Sequence, residues 1–251
     1  FYGFASEPSG LTESNGYSKW QSGREYQTEA IATDGITVLR RTIQTWQQRA
    51  PVAWWASACG APCLSHPELE PANDPRIIES RTELTDTSPA LVSKQVFGYD
   101  DSVPYNNQSD VYEYDFGAGV VGSLLRHTHT DYVTATNYTD VVNGASLLSL
   151  PSQTSVYDAN GIERARTTFE YDIYNSDTNH AWLVNRSGIS GFDPSFSTSY
   201  ATRGNVTATT DCFLNDTGAL TGSVTAYAQY DISGNVVKTI DGRGYATTLY
   251  Y

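Results

Sequence analysis

The amino-acid sequence predicts an all-β protein. Among its 251 residues are 18 Tyr against 8 Phe and 5 Trp, and Tyr, Thr and Val suit a pleated, half-buried surface. Short alternating runs are bounded repeatedly by Gly, Asn and Asp, the pattern of strands punctuated by turns. With 39% hydrophobic and 17% charged residues, the chain is too apolar for general disorder. Its length allows one large domain or two small ones and is enough to bury most of the surface that the unfolded chain exposes.

The elements follow in chain order. Ile36 to Arg49, "ITVLRRTIQTWQQR", places Leu39, Ile43 and Trp46 on one helical face. Its density of β-branched residues favours a strand instead. Pro51 to Pro75 holds many prolines with Cys59 and Cys63, which predicts an irregular insertion ending in the loop "PELEPANDP". "SLLRHTHTDYVTAT", from Ser123, reads as a strand. Near the end, Val224, Ala226, Ala228 and Tyr230 alternate with Thr225, Tyr227 and Gln229. That period of two predicts a strand. "DISGN", Asp231 to Asn235, is turn chemistry, because Asp and Asn bond their own backbone and Gly permits positive φ. Val236 to Ile240 returns, "DGRG" (Asp241 to Gly244) turns again, and Tyr245 to Tyr251 forms a third strand.

This unit recurs. In "ATRGNVTATTD", Ala201 to Asp211, Gly204 and Asn205 match Gly234 and Asn235, and Asp211 matches Asp241. In "SVYDANGIERARTTFEYD", Tyr157 and Asp158 stand before Gly161. Looser copies are "VFGYDD" from Val96 and "VYEYDFGAG" from Val111. A repeat of about twenty to thirty residues indicates an array. We therefore expect an irregular β-rich region over 1–95, with the Pro/Cys insertion near 51–75, and a repeat-built sheet over 96–251.

"YDISGNVVKTIDGRGYATTLYY" resembles the YD repeat of the RHS family. The pattern falls on Tyr230, Asp231, Gly234, Asn235, Asp241, Gly244, Thr247 and Tyr250. The copy before Asp211 lacks Tyr-Asp at its start, and the Tyr157 copy has Ile162 where Asn is expected. "VYEYDFGAGVVGSLLRHTHTDYV" also looks like segments of large bacterial RHS chains, so the resemblance covers 96–251. It implies a spiralling antiparallel sheet of stacked β-hairpin repeats, part of a shell-like solenoid. In the family such shells enclose a toxic C-terminal segment or belong to large cell-surface proteins. The expected function is then non-enzymatic: a secreted or surface structural segment. Its partners would be the remainder of a parent chain, further copies of itself, or an enclosed toxin segment. The expected structural residues are Tyr157, Asp158, Gly161, Gly204, Asn205, Asp211, Tyr230, Asp231, Gly234, Asn235, Asp241 and Gly244. Two or three strands are too few to stand alone, and stacking buries a shared face. A self-cleaving Asp-Pro site occurs in many family members. Asp193-Pro194 lacks the surrounding core pattern, so we expect no protease function there.

Composition and motifs exclude other classes. The net charge is −13, with 15 Lys and Arg and no basic run, which argues against nucleic acid. The acidic balance disfavours an anionic membrane. No apolar run approaches the ~20 residues of a spanning helix; "VAWWASA", Val52 to Ala58, is far shorter. Met is absent and the chain begins at Phe1, from which we expect a mature or excised piece of a longer protein.

Cys59 and Cys63 suit a disulfide or free buried thiols. A Zn site with His66 lacks the second ligand pair that a structural site needs. Cys212 reads as a lone core thiol. "GAGVVG", Gly117 to Gly122, matches a dinucleotide fingerprint but precedes a strand, so it reads as a glycine turn. "DANG" and "DISGN" begin like calcium loops, yet the twelfth positions hold Phe169 and Gly242. His127, His129 and Asp131 share a strand face and could coordinate a metal, but a solvated polar face is the commoner reading. No cofactor or metal is expected. Asn107, Asn137, Asn185, Asn205 and Asn215 begin Asn-x-Ser/Thr sequons. Two rival functions remain open. One is a carbohydrate- or protein-binding surface, with Trp54, Trp55 or Trp182 in an aromatic row. The other is a β-rich hydrolase, which needs a pocket with converging acids.

Overall fold

A computed structural model describes residues 19–21, 23–49, 73–103 and 105–251. Cys59, Cys63, His66, Trp54 and Trp55 lie outside the described residues. The protein is all-β; the described residues form twelve strands in one sheet. Each strand lies beside its neighbour in sequence, with no crossover. Among the described residues helix is limited to one short turn, α1 (Thr136–Thr139), and two 3-10 turns.

The chain divides into two compact units, Phe1–His127 and Thr128–Tyr251. The first carries β1 (Gln27–Ile31), β2 (Val38–Gln47), β3 (Arg76–Leu84), β4 (Leu91–Tyr99) and β5 (Gln108–Ala118). β6 (Leu124–Tyr132) contains the division. The second carries β7 (Pro151–Asp158), β8 (Glu163–Tyr171), β9 (Val206–Leu214), β10 (Leu220–Tyr230), β11 (Val236–Ile240) and β12 (Ala246–Thr248).

The β-branched stretch from Ile36 is indeed a strand, β2, paired antiparallel with β1 and β3. Regular pairing thus begins well before residue 96, and the expected boundary at 95 falls inside β4. β1 to β4 already share continuous ladders. The three-strand reading of the C-terminal stretch holds for β10, β11 and β12, although β12 has three residues where seven were expected. "GAGVVG" forms a bend in which Gly119 takes φ +71, followed by strand β6.

Burial is thin, as a sheet built from hairpins requires. Among the described residues the buried apolar side chain of the first unit is Val92. In the second they are Tyr138, Tyr171, Leu183, Ala208, Ile232 and Ile240. Segments between strands supply part of this core: Tyr138 comes from α1, and Leu183 from the long connection between β8 and β9. Tyr138 meets Tyr171 edge to face, with centroids 6.5 Å apart and planes at 63°, a favourable arrangement of ring quadrupoles.

Candidate functional site

Four Tyr-Asp pairs end strands, and all four do so in the same way. They are Tyr99-Asp100 on β4, Tyr157-Asp158 on β7, Tyr171-Asp172 on β8 and Tyr230-Asp231 on β10. At each Tyr the register shifts by one residue. Gly98 faces Asp110 but Tyr99 faces Gln108; Val156 faces Ala165 but Tyr157 faces Glu163. Glu170 faces Ala208 but Tyr171 faces Val206; Gln229 faces Lys238 but Tyr230 faces Val236. The extra residues on the return strands are therefore Ser109, Arg164, Thr207 and Val237. Such bulges bend a strand and increase its twist.

The Tyr hydroxyl uses the bend. Tyr99 donates to the carbonyl of Ile77 at 2.9 Å, Tyr171 to that of Pro151 at 2.8 Å, and Tyr230 to that of Val206 at 2.8 Å. In each case the acceptor lies on the preceding strand, so one side chain spans from its own hairpin to its neighbour. Burial pushes all three phenols up, and Arg76 partly opposes this at Tyr99. They are neutral donors.

The Asp closes the turn. The Asp231 N–H donates to Asn235 O (3.0 Å), and Gly234 N–H donates to Asp231 O (3.1 Å). The carboxylate accepts from the N–H groups of Ser233 (2.8 Å) and Asn235 (2.9 Å). Asp158 repeats all four bonds with Ile162, Gly161 and Asn160. Asp241 repeats them with Tyr245, Gly244 and Arg243. The glycine three residues on takes φ of +77 to +86 in these loops, a region that side chains disfavour. Ile162 at the Asn position keeps both backbone bonds but lacks the bond that Asn235 Nδ2 gives Asp231 Oδ2 at 3.0 Å; at Asp158 Oδ2 the Arg164 Nε, at 2.8 Å, takes that place.

Asn215 makes the same loop with Thr217, Gly218 and Ala219, and Leu214 opens the same bulge. This turn was not anticipated from sequence. Asp211, expected as the counterpart of Asp241, sits inside β9 opposite Val224 and accepts from the Thr167 hydroxyl. Asn215 is the true counterpart. Matching Asp211 to Asp241 by distance from the Gly-Asn step fails because β9 runs 9 residues where β11 runs 5.

The copy at Gly204-Asn205 does possess its Tyr-Asp, separated in sequence. Asp172 accepts from the N–H groups of Arg203 (2.8 Å), Gly204 (2.7 Å) and Asn205 (2.9 Å). Asp172 N–H donates to Asn205 O at 3.0 Å, as Asp231 does to Asn235. The segment 173–202 is thus an insertion inside one turn. Tyr174 adds a hydroxyl bond to Asp172 (2.7 Å), and burial beside that carboxylate pushes its phenol well up. Gly204 serves twice: it takes φ +74, and a Cβ there would lie 2.8 Å from Leu147 Cδ1. The Tyr99 corner is a longer relative, closed by Asp100 N–H to Asn107 O at 2.9 Å. Tyr114-Asp115 lies within β5; Asp115 N–H donates to Ser123 O at 2.8 Å and Gly122 N–H to Asp115 O at 3.0 Å, the same two closing bonds around a longer loop, while its carboxylate accepts from the adjacent Phe116 N–H.

Arginines brace these corners. Arg76, 6% exposed, holds Asp101 through two nitrogens (2.8 and 3.0 Å) and stacks over Tyr99. Arg186 reaches Asp231 at 3.1 Å. Arg203 spends its guanidinium on the carbonyls of Tyr200, Ile232, Phe196 and Ser197. The insertion also makes a parallel bridge from Val184 to Asp231, so it ties the Tyr171 corner to the Tyr230 corner.

Asp172→Ala leaves three backbone donors without their acceptor. We expect a loss of about 2–3 kcal/mol in chemical denaturation, with faster amide exchange at Gly204 and Asn205. Asp172→Asn, which keeps acceptor oxygen, should recover part of it.

The remaining motifs are placed as follows. His127 Nε2 lies 2.7 Å from Asp110 Oδ1, and its ring stacks on Tyr112 at 4.1 Å. His129 Nε2 lies 3.3 Å from Asp131 Oδ1. Cys212 is a half-buried free thiol in β9. Asp193 caps a 3-10 turn by accepting from Ser195 N–H, which with the Ser195 side chain holds its carboxyl low. The cleft beside it, about 590 Å³, is lined by Phe192, Phe196, Arg203 and Ile232, and Asp193 is its one carboxylate. Trp182 is 66% exposed. Among the sequons, Asn107 is buried and Asn205 Nδ2 bonds the Tyr174 hydroxyl.

No protein-family model matches the chain, and no curated protein matches it in sequence.

Proposed function

We propose that this chain is a non-enzymatic structural segment of an RHS-like polypeptide, secreted or at the cell surface, whose repeat hairpins build part of a β-shell or scaffold. The single observation behind this reading is the fourfold recurrence of one corner. Tyr, bulge and Asp loop appear together each time, and the Tyr hydroxyl crosses to the preceding strand at three of them. Such a unit is useful because it adds hairpins in line, each stabilised by the last. The geometry supports a wall more than a pocket: the corner carboxylates are spent on backbone N–H groups and arginines.

A wall of this kind joins its parent chain or further copies through strand edges. Among the described residues, β1 and β12 each have one strand neighbour. On β12, Tyr245 C=O and Leu249 N–H face β11, so the N–H groups of Ala246 and Thr248 face outward. Unpaired edges of this kind template association. Sedimentation should show concentration-dependent self-association in the high micromolar range. Thr248→Pro removes an outward donor while sparing the inward bonds, and should weaken association without unfolding the sheet. A monomer at all concentrations would overturn the edge-joining reading. A glycan array with specific hits, lost on Trp182→Ala, would favour the binding-surface reading instead.

A further inference from the structure

The first limb of the insertion, 173–182, carries His180 back against the sheet. Its Nδ1 lies 2.8 Å from Asp177 Oδ2, and its Nε2 lies 2.8 Å from Glu170 Oε1. The side chain is 12% exposed. Tyr227 of β10 meets the ring edge-on at 5.2 Å and 88°. The titratable groups against the ring are thus Asp177 from its own limb, Glu170 from β8 and Tyr227 from β10.

A neutral imidazole has one N–H, whereas the imidazolium has two. Two carboxylates on two ring nitrogens therefore fit only the charged ring. In the neutral ring one bare nitrogen would face a carboxylate oxygen, lone pair against anion. We propose that residues 175–182 of this limb are a pH-released strap, closed on the sheet while His180 is an imidazolium and freed on its Glu170 side when the ring loses its proton.

The break falls at Glu170 for a structural reason. Asp177 is fixed to the ring's own loop by the N–H groups of His180 and Asn179, both at 2.7 Å; the His180 N–H, the His180 ring and the Asn179 N–H together hold its carboxyl at about 2. Glu170 is 45% exposed and can exchange the ring for water. Ile173 and Tyr174 stay anchored through Thr207, Asp172 and Asn205, and beyond them the Gln229 side chain, donating to Asn179 O at 2.9 Å, still holds the strap. Beyond it, Leu183 is buried, and Val184 exchanges two 3.0 Å bonds with Tyr230 and Ile232. Release is thus confined to the first limb.

The direction follows from linkage. Burial pushes the His180 ring down, but hydrogen bonds to Asp177 and Glu170 outweigh it and raise the ring above its ordinary 6.5. A raised folded-state value means the strap's contribution is whole below the unfolded value and is lost as pH rises through the folded one.

The test is amide exchange and ring titration by NMR on the full chain. Corrected for intrinsic rates, protection of the Asn179 and His180 amides should fall about three- to tenfold between about pH 6 and about pH 9. The β9 and β10 ladder amides should hold, which reports that the sheet is intact. In Glu170→Gln the amide can donate to neutral Nε2, so the fall should disappear. A His180 ring that titrates at or below the ordinary histidine value overturns the proposal. So does protection that is flat with pH in the unaltered chain, or an undiminished fall in Glu170→Gln.

Discussion

Asp231→Ala will destabilise the second unit by about 2–3 kcal/mol, the cost of leaving hydrogen-bond donors without their acceptor. The Asp231 side chain is 3% exposed. Its carboxylate accepts from the N–H groups of Ser233 and Asn235, from the Asn235 side chain and from Arg186. Alanine removes the acceptor of all four donors; Ser233 and Arg186 remain within reach of water, which moderates the loss. Asp231→Asn keeps an acceptor and loses the charge, so it should fall between alanine and the unaltered chain. Urea denaturation measures the series, and a loss below about 1 kcal/mol for alanine would contradict the assignment. The pH dependence has a definite sign. Burial pushes this carboxyl up, but the bonds from Asn235 and Arg186 outweigh it and hold it below its ordinary value. Its contribution is therefore present above the unfolded carboxylate value, near ~3.9, and is lost as pH falls through the folded one. Acid titration of stability should be flatter in Asp231→Asn.

Tyr171→Ala should cost about 3–5 kcal/mol, as other large aromatic deletions from packed sites do. The residue is 9% exposed, packs edge-on with Tyr138 and bonds Pro151 O. Tyr171→Phe separates the two contributions: it keeps the ring and strands one carbonyl, for about 1 kcal/mol. If phenylalanine were as damaging as alanine, the hydroxyl tie would dominate the corner; if it were neutral, the tie would be incidental. We expect thermal unfolding to rank alanine well below phenylalanine, and phenylalanine below the unaltered chain.

The sequence made the strands and the contiguous turns legible because both are local. Period two over Val224 to Tyr230 and turn residues at Asp231 to Asn235 sit within one short window, and β10 and its turn fall there. What escaped was joined across distance. Tyr171-Asp172 and Gly204-Asn205 read as separate fragments, since an insertion of 30 residues, 173–202, stands between two halves of one turn. Asn215 escaped because the loop needs a side-chain oxygen, which Asn supplies as well as Asp, while the pattern sought Asp. Asp211 was misplaced by counting along the chain where strand lengths vary. His180 against Glu170 left no trace in spacing, since the partners meet by docking of an irregular segment.

The closing bonds of the corner take no notice of what lies between them. Asp231 N–H and Asn235 O meet around three residues, and Asp172 N–H and Asn205 O meet identically around 32. Closing the longer excursion costs only about 2 kcal/mol more by chain statistics, and its own docking can offset that. A sheet knotted this way can acquire appendages at its rim without disturbing the weave beneath, so novelty in such a polypeptide should collect where Tyr-Asp ends a strand.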